Sequence, residues 1–308
     1  MFPDLSEAYV DQYDGSAWQP LGGKLNVSAG SRAESIGVAS DGTNPWACWT
    51  EEVLSGSWIS VNPAQLYCAH WNGSVWSRAG GILNRTGGTW AAEASMTYLN
   101  GSPYVAWTER TTPGNAIVYV QSYNGSAWTL VGGATLSKNP AAGWAFHPRL
   151  ANDGVNVYLS WEEQVNLGQP SQLYVSQWDG SSWTSLGGAL NMDSINGSVA
   201  HSSLTTLGSA PVAVWTEVTV GNLQQTYIKQ WNGSAWTSLT KNLAQSAPAC
   251  DLNGDGVVDS TDVQMAINQA LGTAPCTTAD LQKNGRCDVV DVQRVIASSL
   301  GGVCRVGQ

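Results

Sequence analysis

Charged residues, phenylalanine and long apolar stretches are all scarce in this sequence. Only 12% of the 308 residues are charged, roughly half of the usual share in a globular chain. The surface of the folded chain is therefore expected to consist largely of serine, threonine, asparagine, glutamine and glycine, which is common in extracellular repeat proteins. No apolar run approaches the roughly 18 residues that a membrane-spanning helix needs.

Recognisable motifs of enzyme chemistry are also missing. The chain has no G-x-S-x-G nucleophile elbow, no H-E-x-x-H zinc motif and no phosphate-binding loop. None of its six cysteines forms a C-x-x-C pair, which argues against zinc or thioredoxin-type chemistry. An even number of cysteines favours disulfides and an extracellular or cell-surface location. Residues 1–10 lack a signal-peptide pattern, so we expect a mature form or a signal already removed.

Acidic residues exceed basic ones, and the formal net charge is −10 at pH 7. This balance argues against nucleic acid or an anionic membrane as the partner. Seven aspartates lie in the short stretch from Asp251 to Asp291. Acid clusters of this kind are typical of metal sites or of solvated faces.

One motif occurs five times before residue 240: an aromatic residue, Asn or Asp, Gly, Ser, any residue, and Trp. Successive copies are 58, 52, 55 and 53 residues apart, and such a period is typical of a β-propeller or another closed array. The copies are residues 13–18, 71–76, 123–128, 178–183 and 231–236.

Each copy predicts a β-hairpin. Asn-Gly and Asp-Gly are the strongest signals for a two-residue type I′ turn, in which both central residues adopt positive φ. With such a loop, Trp71 and Trp76 become diagonal neighbours on one face and pack together. We expect the aromatic pairs to be structural belts. Sugar stacking on their rings is the alternative, and its candidate residues are Trp71, Trp76, Trp178, Trp183, Trp231 and Trp236.

A second motif, Trp followed by Thr or Glu and then Glu, occurs four times, at 49–51, 107–109, 161–163 and 215–217. Another short strand precedes each copy. Each repeat therefore predicts four short antiparallel strands, which make one propeller blade. The sequence contains five outer hairpins but only four inner strand pairs, so we expect about four and a half blades. The surplus hairpin, residues 9–22, is predicted to be an exposed edge.

These repeats resemble the aromatic-Asn-Gly-Ser-x-Trp repeats, ending in Leu-Gly-Gly, of secreted bacterial β-propeller-like proteins. The resemblance covers roughly residues 7–240, and the tail Leu21-Gly22-Gly23 recurs as Val131-Gly132-Gly133 and Leu186-Gly187-Gly188. It implies an all-β, propeller-like domain of four-stranded repeats, which we place at residues 1–243. It implies no particular activity, because the family has no single one.

A linker at residues 244–249 leads to a second domain at residues 250–308. Residues 251–262 fit an EF-hand-type calcium loop, with oxygen-bearing residues at alternate positions and Gly256 at the sharp turn. The expected ligands are Asp251, Asn253, Asp255, the carbonyl of Val257, Asp259 and Asp262. The pattern recurs 29 residues later, at Asp280, Gln282, Asn284, Arg286, Asp288 and Asp291. Gln282 and Arg286 predict a weaker second site.

A helix is predicted after each loop. Apolar residues at i, i+4 and i+8 form one buried face, and a glycine ends each helix. The apolar residues are Val263, Ile267 and Leu271 in the first helix and Val292, Ile296 and Leu300 in the second.

Two such calcium loops, each with aspartate at position 12 and one following helix, resemble a type I dockerin over residues 250–301. The resemblance implies the calcium ligands given above and docking to another protein, for which cohesin is the family's partner. Ser260-Thr261 is similar to the Ser-Thr pair that many dockerins use to meet cohesin. The second copy departs from it with Val289-Val290.

Three disulfides are expected. Cys48 and Cys68 fall on adjacent strands of the first blade. The dockerin-like fold returns the end of each helix to the start of the other loop, which implies the pairs Cys250–Cys304 and Cys276–Cys287. These are one of three connectivities that four cysteines allow.

Two further sets of polar residues are candidates for chemistry in the repeat domain. Glu51, Glu109, Glu163 and Glu217 share one repeat position and would face a channel or groove. Paired carboxylates can hydrolyse glycosides, but an acid repeated four times is more typical of structure. His147 and His201 occupy equivalent strand starts, with Glu93 in the matching place. Capping explains them, and a metal ring is the alternative.

Together these patterns predict an extracellular, non-catalytic binding or structural module, with no catalytic residues. The propeller would present a rigid surface, and the calcium-stabilised domain would dock it to another protein. A self-assembling subunit of an extracellular filament or ring is one alternative, because the surplus hairpin offers an edge. A carbohydrate-binding lectin is the other.

Overall fold

The chain divides into two compact units, residues 1–238 and residues 239–308. The structure is a computed structural model that describes residues 6–53, 63–111, 114–133, 135–218, 224–239, 249–255, 257–300 and 304–307. Most of the linker predicted at residues 244–249 and the loop glycine Gly256 lie outside these residues. No helix in the described ranges is long and apolar enough to cross a membrane.

The first unit is built of short antiparallel strands that form four successive blades after an initial hairpin. The hairpin is β1 (Asp11–Tyr13) and β2 (Trp18–Pro20). Blade 1 is β3 (Ser31–Ser40), β4 (Pro45–Val53), β5 (Gln65–Trp71) and β6 (Trp76–Arg78). Blade 2 is β7 (Trp90–Leu99), β8 (Ser102–Thr111), β9 (Asn115–Tyr123) and β10 (Trp128–Leu130). Blade 3 is β11 (Trp144–Asn152), β12 (Val157–Gln164), β13 (Gln172–Trp178) and β14 (Trp183–Ser185). Blade 4 is β15 (Ser198–Leu207), β16 (Ala210–Val218), β17 (Gln224–Trp231) and β18 (Trp236–Ser238).

This architecture confirms the predicted propeller-like domain of about four and a half blades. Strands within each blade pair in sequence order, as the Trp-x-Glu and hairpin motifs require. Blades 2 and 3 are additionally linked by a parallel bridge between Trp144 and Ala116. The first strands of neighbouring blades, β3, β7, β11 and β15, pack against one another in that order.

The hydrophobic core lies between adjacent blades. Each second strand carries a tryptophan that is at most 1% exposed and lies opposite a tyrosine on the third strand, such as Trp107 opposite Tyr119. These rings join apolar clusters that run from one blade into the next. Packing between blades therefore stabilises the domain, and each short sheet depends on its neighbour.

The hairpin turns differ from the prediction. Trp71 pairs directly with Trp76, so the loop has four residues and the two rings are not diagonal neighbours. The side-chain oxygen of Asn72 accepts the backbone N–H groups of Ser74 at 3.0 Å and Val75 at 2.9 Å. This Asx-type contact closes the turn, so the asparagine acts through its side chain and its φ stays negative. A two-residue turn with both φ positive occurs between β7 and β8, at residues 100–101.

The surplus hairpin lies beside blade 1. Its chain continues as a ladder in which the N–H of Leu25 donates to the carbonyl of Ala8, at 2.9 Å. The indole of Trp76 donates to the carbonyl of Leu21, at 2.6 Å. Within the described residues, the segment after the hairpin thus offers Trp76 of blade 1 a backbone carbonyl. Each complete blade offers the same kind of acceptor to the second tryptophan of the next blade.

The second unit contains helices α1 (Ser260–Ala270) and α2 (Val289–Ser299). They pack around a small apolar cluster that includes Leu252, Ala266, Leu281 and Val295. Leu252 and Leu281 occupy the same position in the two predicted loops, so the two halves of the unit contribute equivalent residues to this cluster. Gly272, which follows the C-cap residue Leu271 of α1, has φ of 72°, as expected of a glycine that ends a helix.

Disulfides join three cysteine pairs: Cys48–Cys68, Cys250–Cys304 and Cys276–Cys287. These are the pairs named above, and peptide mapping without reduction is expected to recover each of them. Because the second unit has a small core, reduction should cost it about 2–5 kcal/mol per bridge. Free thiols, or a Cys250–Cys276 peptide, would contradict this connectivity.

Candidate functional sites

The repeated glutamates lie inside the blades and face no channel. The four side chains, Glu51, Glu109, Glu163 and Glu217, are at most 3% exposed. Each carboxylate accepts the indole N–H of the tryptophan two residues earlier and two successive backbone N–H groups of the loop before the blade. For Glu109, the backbone donors are Arg85 and Thr86, both at 2.8 Å. These glutamates therefore fix each loop to its blade.

The candidate tryptophan pairs join one repeat to the next. Their ring centroids are 5.6–5.7 Å apart and the rings are half-buried. The second tryptophan of each pair donates its indole N–H to a carbonyl of the preceding repeat. The donors are Trp76, Trp183 and Trp236, and the acceptors are Leu21, Val131 and Leu186. The pair Tyr13–Trp18 of the first hairpin differs, because Trp18 is 68% exposed.

One group of polar residues breaks the repeat and comes together on β7, β11 and β12 of blades 2 and 3. Between the buried tryptophan and the repeat glutamate, three blades have threonine, whereas blade 3 has Glu162. The Glu162 side chain is completely buried. Its Oε2 lies 3.2 Å from Nδ1 of His147, and Nε2 of that histidine lies 3.6 Å from Oε1 of Glu93. Glu93, His147 and Glu162 thus form a carboxylate–imidazole–carboxylate row.

The two carboxylates of this row also reach across to the next blade. Oε2 of Glu93 accepts the backbone N–H of His147 at 2.6 Å, and Oε1 of Glu162 accepts that of Ser202 at 2.9 Å. His147 and Glu93 have φ of 49° and 61° because each sits in a β-bulge of its strand. Ser35 and His201 occupy the same left-handed position in blades 1 and 4.

Electrostatics favours the charged forms of His147 and Glu162. The Glu162 carboxylate beside it raises the pKa of His147, against the opposing effect of burial. Burial would raise the pKa of Glu162, but the His147 ring and the Ser202 donors outweigh it and lower that pKa. The half-buried His147 ring and the buried Glu162 carboxylate therefore favour each other's charged forms, next to the partly exposed Glu93.

The first predicted calcium loop is organised around Asp262, whose side chain is completely buried. Its Oδ1 accepts the N–H groups of Leu252 at 2.7 Å and Asn253 at 3.1 Å, and its Oδ2 accepts that of Asp259 at 2.9 Å. Asp259 in turn caps α1 and completes a capping box with Asp262. One carboxylate therefore connects the start of the loop to the start of the helix.

The oxygen-bearing residues at the start of this loop curl the backbone. Oδ1 of Asp251 accepts the N–H of Gly254 at 2.8 Å, and Oδ1 of Asp255 accepts that of Val257 at 2.9 Å. Between them, Oδ1 of Asn253 accepts the N–H of Asp255 at 2.9 Å. Through these contacts, the side chains of Asp251, Asn253 and Asp255 all turn back onto the backbone of the same loop.

The second loop repeats the arrangement. Asp291 is buried and accepts the N–H groups of Gln282 at 2.9 Å and Asp288 at 3.0 Å, and Asp288 caps α2. Both oxygens of Asp280 accept backbone N–H groups, from residues 284 and 285. Oδ1 of Asn284 accepts the N–H of Arg286 at 2.9 Å. The two loops are thus built alike despite their different side chains.

The donor set of these loops suits calcium. The first loop offers carboxylate, amide and carbonyl oxygens and contains neither histidine nor cysteine, so a hard cation is favoured over zinc. Among the described residues, no three His, Cys, Asp or Glu side chains converge on one point.

Residues 249–298 match the family described as the dockerin type I domain. The match confirms the dockerin resemblance, and the chain carries a C-terminal dockerin type I domain. Domains of this family bind calcium and dock to partner proteins. No curated protein sequence matches the chain.

Solved structures similar to the chain include a GH93 α-L-arabinofuranosidase of Fusarium graminearum and an α-L-arabinofuranosidase from Lactobacillus brevis. The first is 9% identical with a TM-score of 0.47, covering 67% of this chain and 65% of that one. The second is 12% identical with a TM-score of 0.46, covering 71% and 80%. A family 117 glycoside hydrolase of Zobellia galactanivorans is 10% identical with a TM-score of 0.42, covering 76% and 75%.

These neighbours contradict the predicted function. All three are glycoside hydrolases, so the prediction of a non-catalytic module and its alternatives, a filament or ring subunit and a lectin, are withdrawn. The prediction that the chain is not an enzyme is withdrawn with them. The reactions named for the neighbours are properties of those proteins.

Glu162 is not among the site residues predicted above. The repeat places His147 and Glu93 at equivalent positions, but within the sequence Glu162 is simply the middle residue of a Trp-x-Glu motif. The signal was present: aligning the four copies leaves Glu162 as the residue that departs from Thr50, Thr108 and Thr216. In a tandem repeat, a residue that differs from all its equivalents indicates a role of that one repeat, because the shared fold does not require it.

Proposed function

We propose that the dockerin domain binds two calcium ions and thereby attaches the repeat domain to a cohesin-bearing protein outside the cell. The observation that carries this proposal is the duplicated loop–helix unit, in which a buried aspartate ties each loop to its helix. A cation that orders the loops would also fix the two helices, on which a partner docks. Three disulfides support an extracellular location.

The proposed ligands are the side chains of Asp251, Asn253, Asp255, Asp259 and Asp262 with the carbonyl of Val257, and in the second loop Asp280, Gln282, Asn284, Asp288 and Asp291 with the carbonyl of Arg286. The second site is the weaker one. Gln282 is longer and more flexible than Asn253, so more side-chain entropy is lost when its oxygen is fixed. The Arg286 guanidinium adds a positive charge beside the cation.

The two helices present different residues to a partner. Ser260 and Thr261 are exposed at the start of α1, whereas the same positions of α2 carry Val289 and Val290, also exposed. Hydroxyl groups can hydrogen-bond a partner's surface, and valines cannot. We therefore propose that cohesin is held through the start of α1 in one orientation.

Calcium dependence is the first test of this docking. The full chain is passed over immobilised type I cohesin domains in about 5 mM calcium, a concentration far above the dissociation constant of a sensor-type calcium site. The measurement is then repeated in excess EDTA. We expect binding in calcium and a loss of at least about 100-fold in EDTA, because unliganded loops no longer hold the helices. Equal binding in both buffers would contradict the proposal.

Internal symmetry supplies matched variants for the docking face. We expect the double variant Ser260→Ala/Thr261→Ala to weaken cohesin binding by about 10-fold or more, the equivalent of one or two lost hydrogen bonds. The control is Val289→Ala/Val290→Ala, which changes the same positions of α2. Surface plasmon resonance measures both. If the α2 variant loses more cohesin affinity than the α1 variant, the partner is held through the start of α2 and the proposed orientation is wrong.

A further inference from the structure

The second predicted calcium loop carries a disulfide that the first loop lacks. Cys276 and Cys287 are bonded to each other and lie 11 residues apart in the sequence. Shifted by the 29-residue repeat, the same positions of the first loop are Ala247 and Val258. The two loop–helix units are otherwise built alike, so their shared fold does not require this bridge.

The bridge encloses most of the proposed ligands of the second site. Four of the six lie between the bonded cysteines: Asp280, Gln282, Asn284 and Arg286. The other two belong to the start of α2, where Asp288 caps the helix and Asp291 completes the capping box. Cys287 directly precedes Asp288, so the bridge connects the enclosed ligands to the helix on which the other two lie.

The start of the enclosed segment is held by Gln269 of α1, whose side chain is buried. Its Oε1 accepts the backbone N–H groups of Thr277 at 2.8 Å and Ala279 at 3.1 Å. Its Nε2 donates to the hydroxyl of Thr278 at 3.0 Å. The equivalent residue of α2 is Ser298, so this attachment is also particular to the second loop. Groups of the protein itself thus fix the enclosed segment at its start and at its end.

A loop that is fixed at both ends loses less conformational freedom when it binds a cation. This saving matters most at the second site, because Gln282 and Arg286 make it the weaker one. Opening a bridge over roughly a dozen residues restores freedom that has to be lost again on binding, which corresponds to about 100-fold in an equilibrium constant. We therefore expect the bridge to provide calcium affinity that the ligands of this loop do not.

The same bridge is the one that a reductant reaches first. Of the six cysteines, all of which lie within the described residues, Cys276 is the exposed one, and its partner Cys287 is half-buried. Cys48 and Cys68 are buried in the repeat domain, and Cys250 is buried in the second unit. Thiol–disulfide exchange requires a thiolate to reach a sulfur atom, so exposure decides which bridge opens.

We propose that the Cys276–Cys287 disulfide is a redox switch of the second calcium site, and that its reduction by a small thiol such as glutathione releases the ion. The thiolate attacks Sγ of Cys276, the S–S bond breaks, and Cys287 leaves as a thiolate. A second thiol then cleaves the mixed disulfide. The two electrons come from two thiol molecules, which leave as their own disulfide, and their protons end on the two cysteines. The first site keeps its calcium. This inference rests on the proposed calcium binding of the dockerin domain.

Calorimetric titration of the full chain with calcium compares the wild type with Cys276→Ser/Cys287→Ser. We expect the variant to bind the weaker ion at least about 10-fold less tightly, with the tighter ion unchanged. The matched control is Cys48→Ala/Cys68→Ala, which removes a buried bridge of the repeat domain and should bind both ions as the wild type does. Wild-type affinity for both ions in the serine variant, equal weakening of both ions, or the same loss in the control would overturn the inference.

Native mass spectrometry keeps the test decisive if the serine variant fails to fold. The wild-type chain is treated with reduced glutathione and then with iodoacetamide, and its bound ions are counted at a calcium concentration that fills both sites of the oxidised chain. We expect the first reduced species to be alkylated at Cys276 and Cys287 and to hold one calcium ion. Earlier opening of another bridge, or two ions in that species, would overturn the switch alone. An oxidised wild type that binds no calcium would refute the proposed function and the switch together.

Discussion

Replacing Glu109 by alanine is expected to lower the free energy of unfolding of the repeat domain by about 4 kcal/mol or more. The Glu109 carboxylate is 1% exposed and accepts four hydrogen bonds, from the backbone of Arg85 and Thr86, the hydroxyl of Thr89 and the indole of Trp107. Alanine leaves these donors without an acceptor, and each unpaired buried donor costs about 1–3 kcal/mol. The loop before blade 2 would lose its attachment.

Urea denaturation followed by tryptophan fluorescence measures this loss. The control is Glu34→Ala, which removes a carboxylate whose side chain is 56% exposed and which forms a surface ion pair with Arg32. That variant should change stability by less than about 1 kcal/mol. If Glu109→Ala is as stable as Glu34→Ala, the repeat glutamates do not hold the loops.

The second large effect is expected at Asp262. Its replacement by alanine removes the acceptor for Leu252, Asn253 and Asp259 and a proposed calcium ligand, so the second unit should remain unfolded even in saturating calcium. Hydrogen–deuterium exchange of the full chain reads this directly. Peptides from α1 should exchange without protection, while peptides from the repeat domain stay protected.

Asp255→Ala is the matched control for that experiment. Asp255 is also a proposed ligand, but it is exposed and accepts one backbone N–H from the loop, that of Val257. Calcium affinity should fall in this variant, while α1 stays protected at saturating calcium. Protection of α1 in Asp262→Ala equal to that in Asp255→Ala would show that the buried carboxylate is not what organises the loop.

The repeat architecture could be predicted because each blade carries its own local signals. A buried tryptophan with a glutamate two residues later, and an aromatic-Asn-Gly-Ser-x-Trp hairpin, mark the strands wherever they occur. The turn type at Asn72 was wrong because the same Asn-Gly pair also fits a four-residue loop closed by the asparagine side chain. Local sequence does not distinguish these two turns, since strand register decides between them.

The row of Glu93, His147 and Glu162 could not be assembled from the sequence. Its members lie in two blades, and the contact depends on how β7 and β11 pack together. Periodicity placed Glu93 and His147 at equivalent positions, but it gave no distance between blades. The calcium loops were easier, because their proposed ligands lie within twelve consecutive residues and the spacing itself specifies the geometry.

The most direct test of the account is calorimetric titration of the full, metal-free chain with calcium. Two calcium ions per chain are expected, with the tighter one lost in Asp251→Ala and the weaker one lost in Asp280→Ala. Cohesin binding should require at least the tighter ion. A chain that takes up no calcium, or that takes up the same amount when both aspartates are replaced, would contradict the proposed calcium-dependent attachment.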